Sequence, residues 1–202
     1  MLSEEYIIRR LKAAYQPGLV ASNDGYAGPN EGVNLKCAAV LIPLVWQGDE
    51  WNLVYTRRTE TVEHHKGQVS FPGGGCELGE SSPETTALRE AWEEIGLPPE
   101  DVHLLGRMND VITITSYRVT PVVGAISWPF PVRLEPLEVV RLFTIPLLWL
   151  TDRSNWHEQP FTLHGTQRPF PVIRYRPYDG EILWGITARI TQNLLTIVMG
   201  KA

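Results

Sequence analysis

The chain has 202 residues, 43% hydrophobic and 20% charged, a globular balance that excludes a disordered chain and supplies one domain's worth of core. Its formal net charge of −5 argues against a general nucleic-acid or membrane-surface binder. The two cysteines, Cys37 and Cys76, are too few for a disulfide framework, lack zinc-like spacing and point to a reducing compartment.

In chain order, residues 2–15 read as an amphipathic helix, with Leu2, Tyr6, Ile7 and Leu11 on one face and Pro17 ending it. Acids and arginines stand there in place of a secretory leader's apolar core. The longest apolar run, residues 142–150, contains Pro146 and falls far short of the roughly 20 residues of a membrane span. Cytoplasm is therefore the expected compartment. A Gly/Asn/Pro-rich loop over residues 18–34 leads to two strand-like runs, 36–46 and 51–58, joined by the turn QGDE.

The clearest helix follows, with Ser81 or Ser82 as cap, Pro83 in the first turn and Gly96 as the left-handed stop. Residues 102–108, 119–127 and 139–150 read as strands, the last as a strand or a strand with a short helix. A hairpin is expected around Asp179-Gly180, and a closing helix over 187–199 with Ile190, Leu194, Ile197 and Val198 on one face. No repeat or linker interrupts the chain. The expectation is one α+β domain over residues 1–202, with 1–34 an N-terminal extension and 35–202 the core.

The helix after Ser82 raises a physical question. At about 100° per residue, Leu88, Ala91, Trp92 and Ile95 fall on one face, while Glu90, Glu93 and Glu94 fall opposite and are expected to face outward. Like charges one turn apart repel. Arg89 can pair with Glu93, yet no lysines interleave the acids, and a glycine-rich loop with Glu77 and Glu80 precedes them. Converging carboxylates become stable around a hard divalent cation, and Mg²⁺ usually keeps waters and accepts substrate phosphate oxygens. The other reading of three acids alone is a solvated charged face.

These residues carry a resemblance. Gly74, Glu80 and the run Arg89-Glu90-Ala91-Trp92-Glu93-Glu94-Ile95-Gly96-Leu97 resemble the Nudix box, with one extra residue between Glu80 and Arg89. The coenzyme A-cleaving branch of Nudix hydrolases carries the same expansion. It also has an upstream signature resembling Thr56, Arg58, His65, Gly67, Gln68, Val69, Phe71, Pro72, Gly73 and Gly74. Segments 134–147 and 181–190 resemble two further stretches of that branch. Glu63 and Glu135 depart from it, standing where the branch often has Arg and Asn.

The resemblance implies a mixed β-sheet sandwiched between α-helices and Mg²⁺- or Mn²⁺-dependent hydrolysis of the diphosphate of coenzyme A, giving 3′,5′-ADP and 4′-phosphopantetheine. It implies Glu90, Glu93 and Glu94 as metal ligands, with Arg89 orienting them. Glu77 and Glu80 either reach the metal, position water or remain solvated loop acids. Glu93, Arg89 and Glu138 are the expected catalytic residues, Glu138 as a base or extra ligand recruited from outside the box. The amides of Gly73, Gly74 and Gly75 are placed to meet phosphate, and Arg57, Arg58, His65 and Lys66 form the best basic cluster for it. Trp128, Trp184 and Tyr175 are candidates to stack on adenine, with core packing the alternative. The partner is a small molecule, not nucleic acid or membrane; a homodimer is left open. Two rival readings are a Nudix enzyme acting on ADP-ribose, NADH or another nucleoside diphosphate derivative, and a non-catalytic Nudix-like sensor.

Overall fold

The computed structural model describes residues 2–21, 34–59, 67–162 and 169–200. His65, Lys66 and Glu63 lie outside them. The N-terminal helix α1 (Glu4–Ala14) is capped by Ser3, whose hydroxyl accepts from the Tyr6 amide, and it buries Ile7 and Leu11 as the spacing predicts. Strands β1 (Lys36–Gln47) and β2 (Glu50–Arg58) form the expected antiparallel hairpin. Its two turn residues, Gly48 and Asp49, both have positive φ, which matches the twist of the strands.

Two short strands follow, β3 (Val69–Ser70) and β4 (Gly73–Gly75), and then helix α2 (Pro83–Ile95). Next come β5 (Val102–Arg107), β6 (Val111–Ile112), β7 (Tyr117–Ile126) and β8 (Val139–Pro146), with α3 (Leu147–Thr151) continuing from β8. Strands β9 (Trp156–Phe161) and β10 (Phe170–Tyr175) precede the closing helix α4 (Gly185–Met199).

Among the described residues eight strands make one mixed sheet in the order β3-β2-β1-β7-β5, with β4 on β1, β6 on β7 and β8 on β2. β1 is its axis. It runs parallel to β7 from Lys36 to Leu44, pairs Ala38–Val40 with β4, and then pairs Leu44–Gln47 with β2. Pro43, which has no amide to donate, falls between those last two pairings.

The sheet is covered on both faces, so β1 reads as a nearly unbroken apolar run. Ala39, Leu41 and Val45 point to one side, where Ala87, Ala91 and Ile95 of α2 pack on them. Ile42 and Leu44 point to the other, where Ile7 and Leu11 of α1 meet Leu194 and Val198 of α4. The expected sheet between helices is what the chain forms.

The hairpin expected around Asp179-Gly180 is present as antiparallel bridges Tyr178–Glu181 and Arg174–Trp184, with the Tyr175 amide donating to the Leu183 carbonyl, and β10 also pairs along its length with β9. Two expectations change. Helix α2 is rotated from the expected face: Trp92 is 44% exposed, whereas Glu94 is 2% exposed. The small Thr86, Ala87 and Ala91 lie on the buried face, and the Trp92 ring sits outside it under the Arg133 guanidinium, 5.3 Å from the ring centroid. The cysteines are not free. Cys37 and Cys76 form a disulfide, with Cα atoms 5.4 Å apart. Two adjoining backbone segments bring them together, the start of β1 and the end of β4, whose register sets Ala38 opposite Gly75.

Candidate active site

Three elements converge on the carboxylates. Helix α2 begins at Ser82, whose hydroxyl accepts from the Thr85 amide, and ends at Gly96 in the left-handed conformation. The last carbonyls of a helix have no partner within it. Here those of Glu94 and Ile95 accept from the amides of Glu135 and Arg133, so the segment after β7 is fastened to the end of α2. That fastening carries Glu138 to the same spot. From the sheet side, β2 delivers Arg58 and β4 delivers its glycines.

Arg89 is the hub. Its Nε donates to Glu80 at 2.8 Å, its Nη1 to Glu90 at 3.0 Å and Glu93 at 2.8 Å, and its Nη2 to the Gly75 carbonyl at 2.9 Å. Glu80 also accepts from the Thr86 hydroxyl and the Glu77 amide. These donors, Arg89 first, hold the Glu80 carboxyl down at about 2. Glu77 is exposed and stands 4.0 Å from Arg89. Gly75, expected to offer its amide, engages Arg89 through its carbonyl, and Thr86 is an addition to the expected site, signalled in the sequence only by a threonine one turn before Arg89.

Glu94 behaves differently. Burial pushes its carboxyl up to about 8, and the nearby charges of Glu138 and Glu90 push the same way, against the pull of Arg58 and the Gly73 backbone. Arg58 donates to Glu94 Oε1 at 3.0 Å and to Glu138 at 3.2 Å. Glu94 Oε2 is buried with no hydrogen-bond partner among the described residues. Glu90, half-buried, is also raised, first by burial and then by Glu93 and Glu138 despite Arg89. Glu93 is exposed and held by Arg89.

The glycine strand makes room for this cluster. A side-chain carbon on Gly74 would fall on the Glu90 carboxylate, and one on Gly73 would lie 2.5 Å from the Ala39 carbonyl oxygen. Arg57 is directed elsewhere, to Glu181 at 3.5 Å, which Arg141 also contacts at 3.1 Å. Beside Gly73–Gly75 opens a cleft of about 800 Å³ between the sheet and α4. Val40, Val119, Phe161, Phe170, Trp184 and Ile190 give it a largely apolar lining. Of the three aromatic candidates only Trp184 lines it; Tyr175 is buried beneath Trp149, and Trp128 packs edge-on to Phe130.

Residues 35–158 match the NUDIX domain. The chain belongs to the Nudix family. It is 34% identical over 190 residues to a protein of Yersinia pestis described as an uncharacterized Nudix hydrolase, NudL, covering 94% of this chain and 92% of that one. The Yersinia pseudotuberculosis NudL gives the same figures. A MutT/nudix family protein from Enterococcus faecalis shares the fold, with a TM-score of 0.52 at 15% identity over 86% of this chain and 65% of that one. As a Nudix hydrolase the chain acts on pyrophosphate bonds, and Nudix hydrolases generally use divalent metals such as Mg²⁺ or Mn²⁺.

The Nudix site fits such an ion. No three His, Cys, Asp or Glu side chains are already gathered as a cation cage among the described residues. Glu90 and Glu94 instead are both raised first by burial, Glu94 further by the charge of Glu90, and Glu94 has a buried oxygen with no hydrogen-bond partner among the described residues. Two carboxylates completed by water and substrate phosphate are what Mg²⁺ usually takes.

Proposed function

We propose that the chain hydrolyses the diphosphate bond of coenzyme A and its derivatives, releasing 3′,5′-ADP and 4′-phosphopantetheine or its acylated form. The observation that carries this reading is the apolar cleft beside the glycine strand. The glycine strand adjoins Glu90 and Glu94, so a diphosphate at those carboxylates leaves one half of its substrate facing the cleft. With the diphosphate at the carboxylates, the long methylene and gem-dimethyl chain of the pantetheine arm suits an apolar lining better than the hydroxyl-rich second ribose of ADP-ribose, because buried hydroxyls without partners are costly. The extra residue between Glu80 and Arg89 and the Thr56-to-Gly74 signature support the same substrate.

In this reading Glu90 and Glu94 hold the metal, with Glu93 the outer carboxylate of the same set. A divalent ion bound there supplies neutralisation of diphosphate charge. Arg89 keeps the ligands in place through its four acceptors, and Glu80 and Glu77 anchor Arg89 from the loop. Arg58 balances Glu94 and Glu138 and lies at the cleft's edge, available to phosphate oxygens. Glu138 is the partly exposed carboxylate placed to take a proton from the attacking water. Gly73 and Gly74 let the phosphates approach the backbone closely.

Incubation with CoA, ADP-ribose and NADH in Mg²⁺, with products separated by chromatography, tests the substrate. Release of 3′,5′-ADP from CoA at a higher kcat/KM than either rival is expected. Turnover of ADP-ribose with none of CoA would overturn the assignment.

A further inference from the structure

We propose that Cys37 and Cys76 form a reversible thiol–disulfide exchange site that controls how firmly the carboxylate cluster holds its metal. This rests on the metal reading of Glu90 and Glu94 given above.

The crosslink joins the two segments that build one wall of the site. Cys76 directly follows Gly75, whose carbonyl accepts from Arg89 at 2.9 Å, and directly precedes Glu77, whose amide donates to Glu80 at 2.7 Å. Arg89 and Glu80 are bonded to each other at 2.8 Å. The Cys37 carbonyl accepts the Cys76 amide at 3.1 Å, so backbone and sulfur both fasten the loop to β1.

Without the sulfur link that attachment is weak. β4 pairs with β1 over only three residues, all glycines, which lose more conformational freedom on ordering than any other residue. The bridge spans a sequence separation of 39 residues that includes Arg58 and the whole glycine strand. Breaking it loosens segment 75–80 from β1, which weakens the Gly75 anchor of Arg89 directly and leaves Glu80 held only through Thr86 and Arg89 on α2.

The bridge is accessible. Cys37 is exposed and Cys76 half-buried, which makes the Cys37 sulfur the one open to attack. A thiolate of an external dithiol attacks it, forming a mixed disulfide as the Cys76 sulfur leaves with the bond's electron pair and takes a proton. The second thiol of the reagent resolves the mixed disulfide and releases Cys37 as a thiol. Two electrons and two protons pass from the dithiol to the protein; a small-molecule disulfide reverses the step.

The test has two readouts that do not require turnover. Alkylation and mass measurement count free thiols after dithiothreitol or glutathione disulfide, and Mn²⁺ titration by electron paramagnetic resonance measures metal affinity in each state. No free thiol in the oxidised protein and two in the reduced are expected, with Mn²⁺ bound about 10-fold more weakly after reduction, the scale seen when groups that orient ligands are lost. Cys76→Ser and Cys37→Ser should both stay near the reduced affinity whichever reagent is applied, because neither can rebuild the bridge. Equal Mn²⁺ affinity in the two states, or two thiols persisting in glutathione disulfide, would overturn the proposal. Absence of Mn²⁺ binding in both states would instead contradict the metal site itself.

Discussion

At the scale of single residues, Arg89 and Glu94 show two ways of keeping acids together. Arg89 neutralises Glu80, Glu90 and Glu93 through direct bonds, whereas Glu94 is met by Arg58 at one oxygen only and its other oxygen is buried with no hydrogen-bond partner among the described residues. The Glu94 carboxyl titrates at about 8 against an ordinary value of 4.5, so the metal-free fold holds that proton more tightly than the unfolded chain does. Stability from this group is fully present below about 4.5 and is lost as pH rises through about 8. Thermal melts in EDTA should show a larger fall between pH 5 and pH 8 for the natural protein than for Glu94→Gln; equal falls would contradict the assignment. Gly74→Ala places a methyl group on the Glu90 carboxylate and should lower kcat/KM roughly 10-fold or more, measured with saturating Mg²⁺. The identity of the acids was legible from their spacing, because a motif names residues. That Glu94 is the buried one was not, since a helical wheel does not say which side the sheet will cover.

Among elements, α2 carries the site because both of its ends are fixed. Ser82 and Pro83 start it, and Gly96 at φ 69° stops it, with the 133–135 segment bonded to its last carbonyls. Gly96→Ala forces an L residue into the left-handed region and sets a methyl group 2.8 Å from Arg133 Cβ. It should destabilise by about 1–2 kcal/mol or more, read as a thermal shift of about 2–4 °C per kcal/mol. An unchanged melting temperature would show that the Arg133 segment yields freely. The caps, the β1–β2 hairpin and both terminal helices could be read from sequence because their signals are local: turn glycines, capping serines and a 3.6-residue period. Strands β3, β4 and β6 are too short for a period of two to register. β9 alternates weakly, with Pro160 inside it, and is defined by its partner β10. The disulfide escaped for the same reason, since only the β1–β4 register brings Cys37 beside Cys76.

For the molecule as a whole, the sheet separates two chemistries. α2 and its carboxylates occupy one side, and the apolar cleft lies between the other side and α4, with the glycine strand at the boundary. Trp184→Ala, which removes a half-buried wall of the cleft, should raise KM for acyl-CoA more than it lowers kcat; a kcat effect alone would contradict a binding role. Among the described residues no helix is long and apolar enough to cross a membrane. The central claim joins the two sides: carboxylates on α2 drive cleavage of a substrate whose arm fills the cleft. Its most direct test is 3′,5′-ADP release from CoA in Mg²⁺, measured side by side for the natural protein and Glu94→Gln. The expected result is release by the natural protein and a loss of roughly 100-fold or more in the variant, on the scale of removing a group that stabilises transition-state charge. Equal release by both would contradict the account.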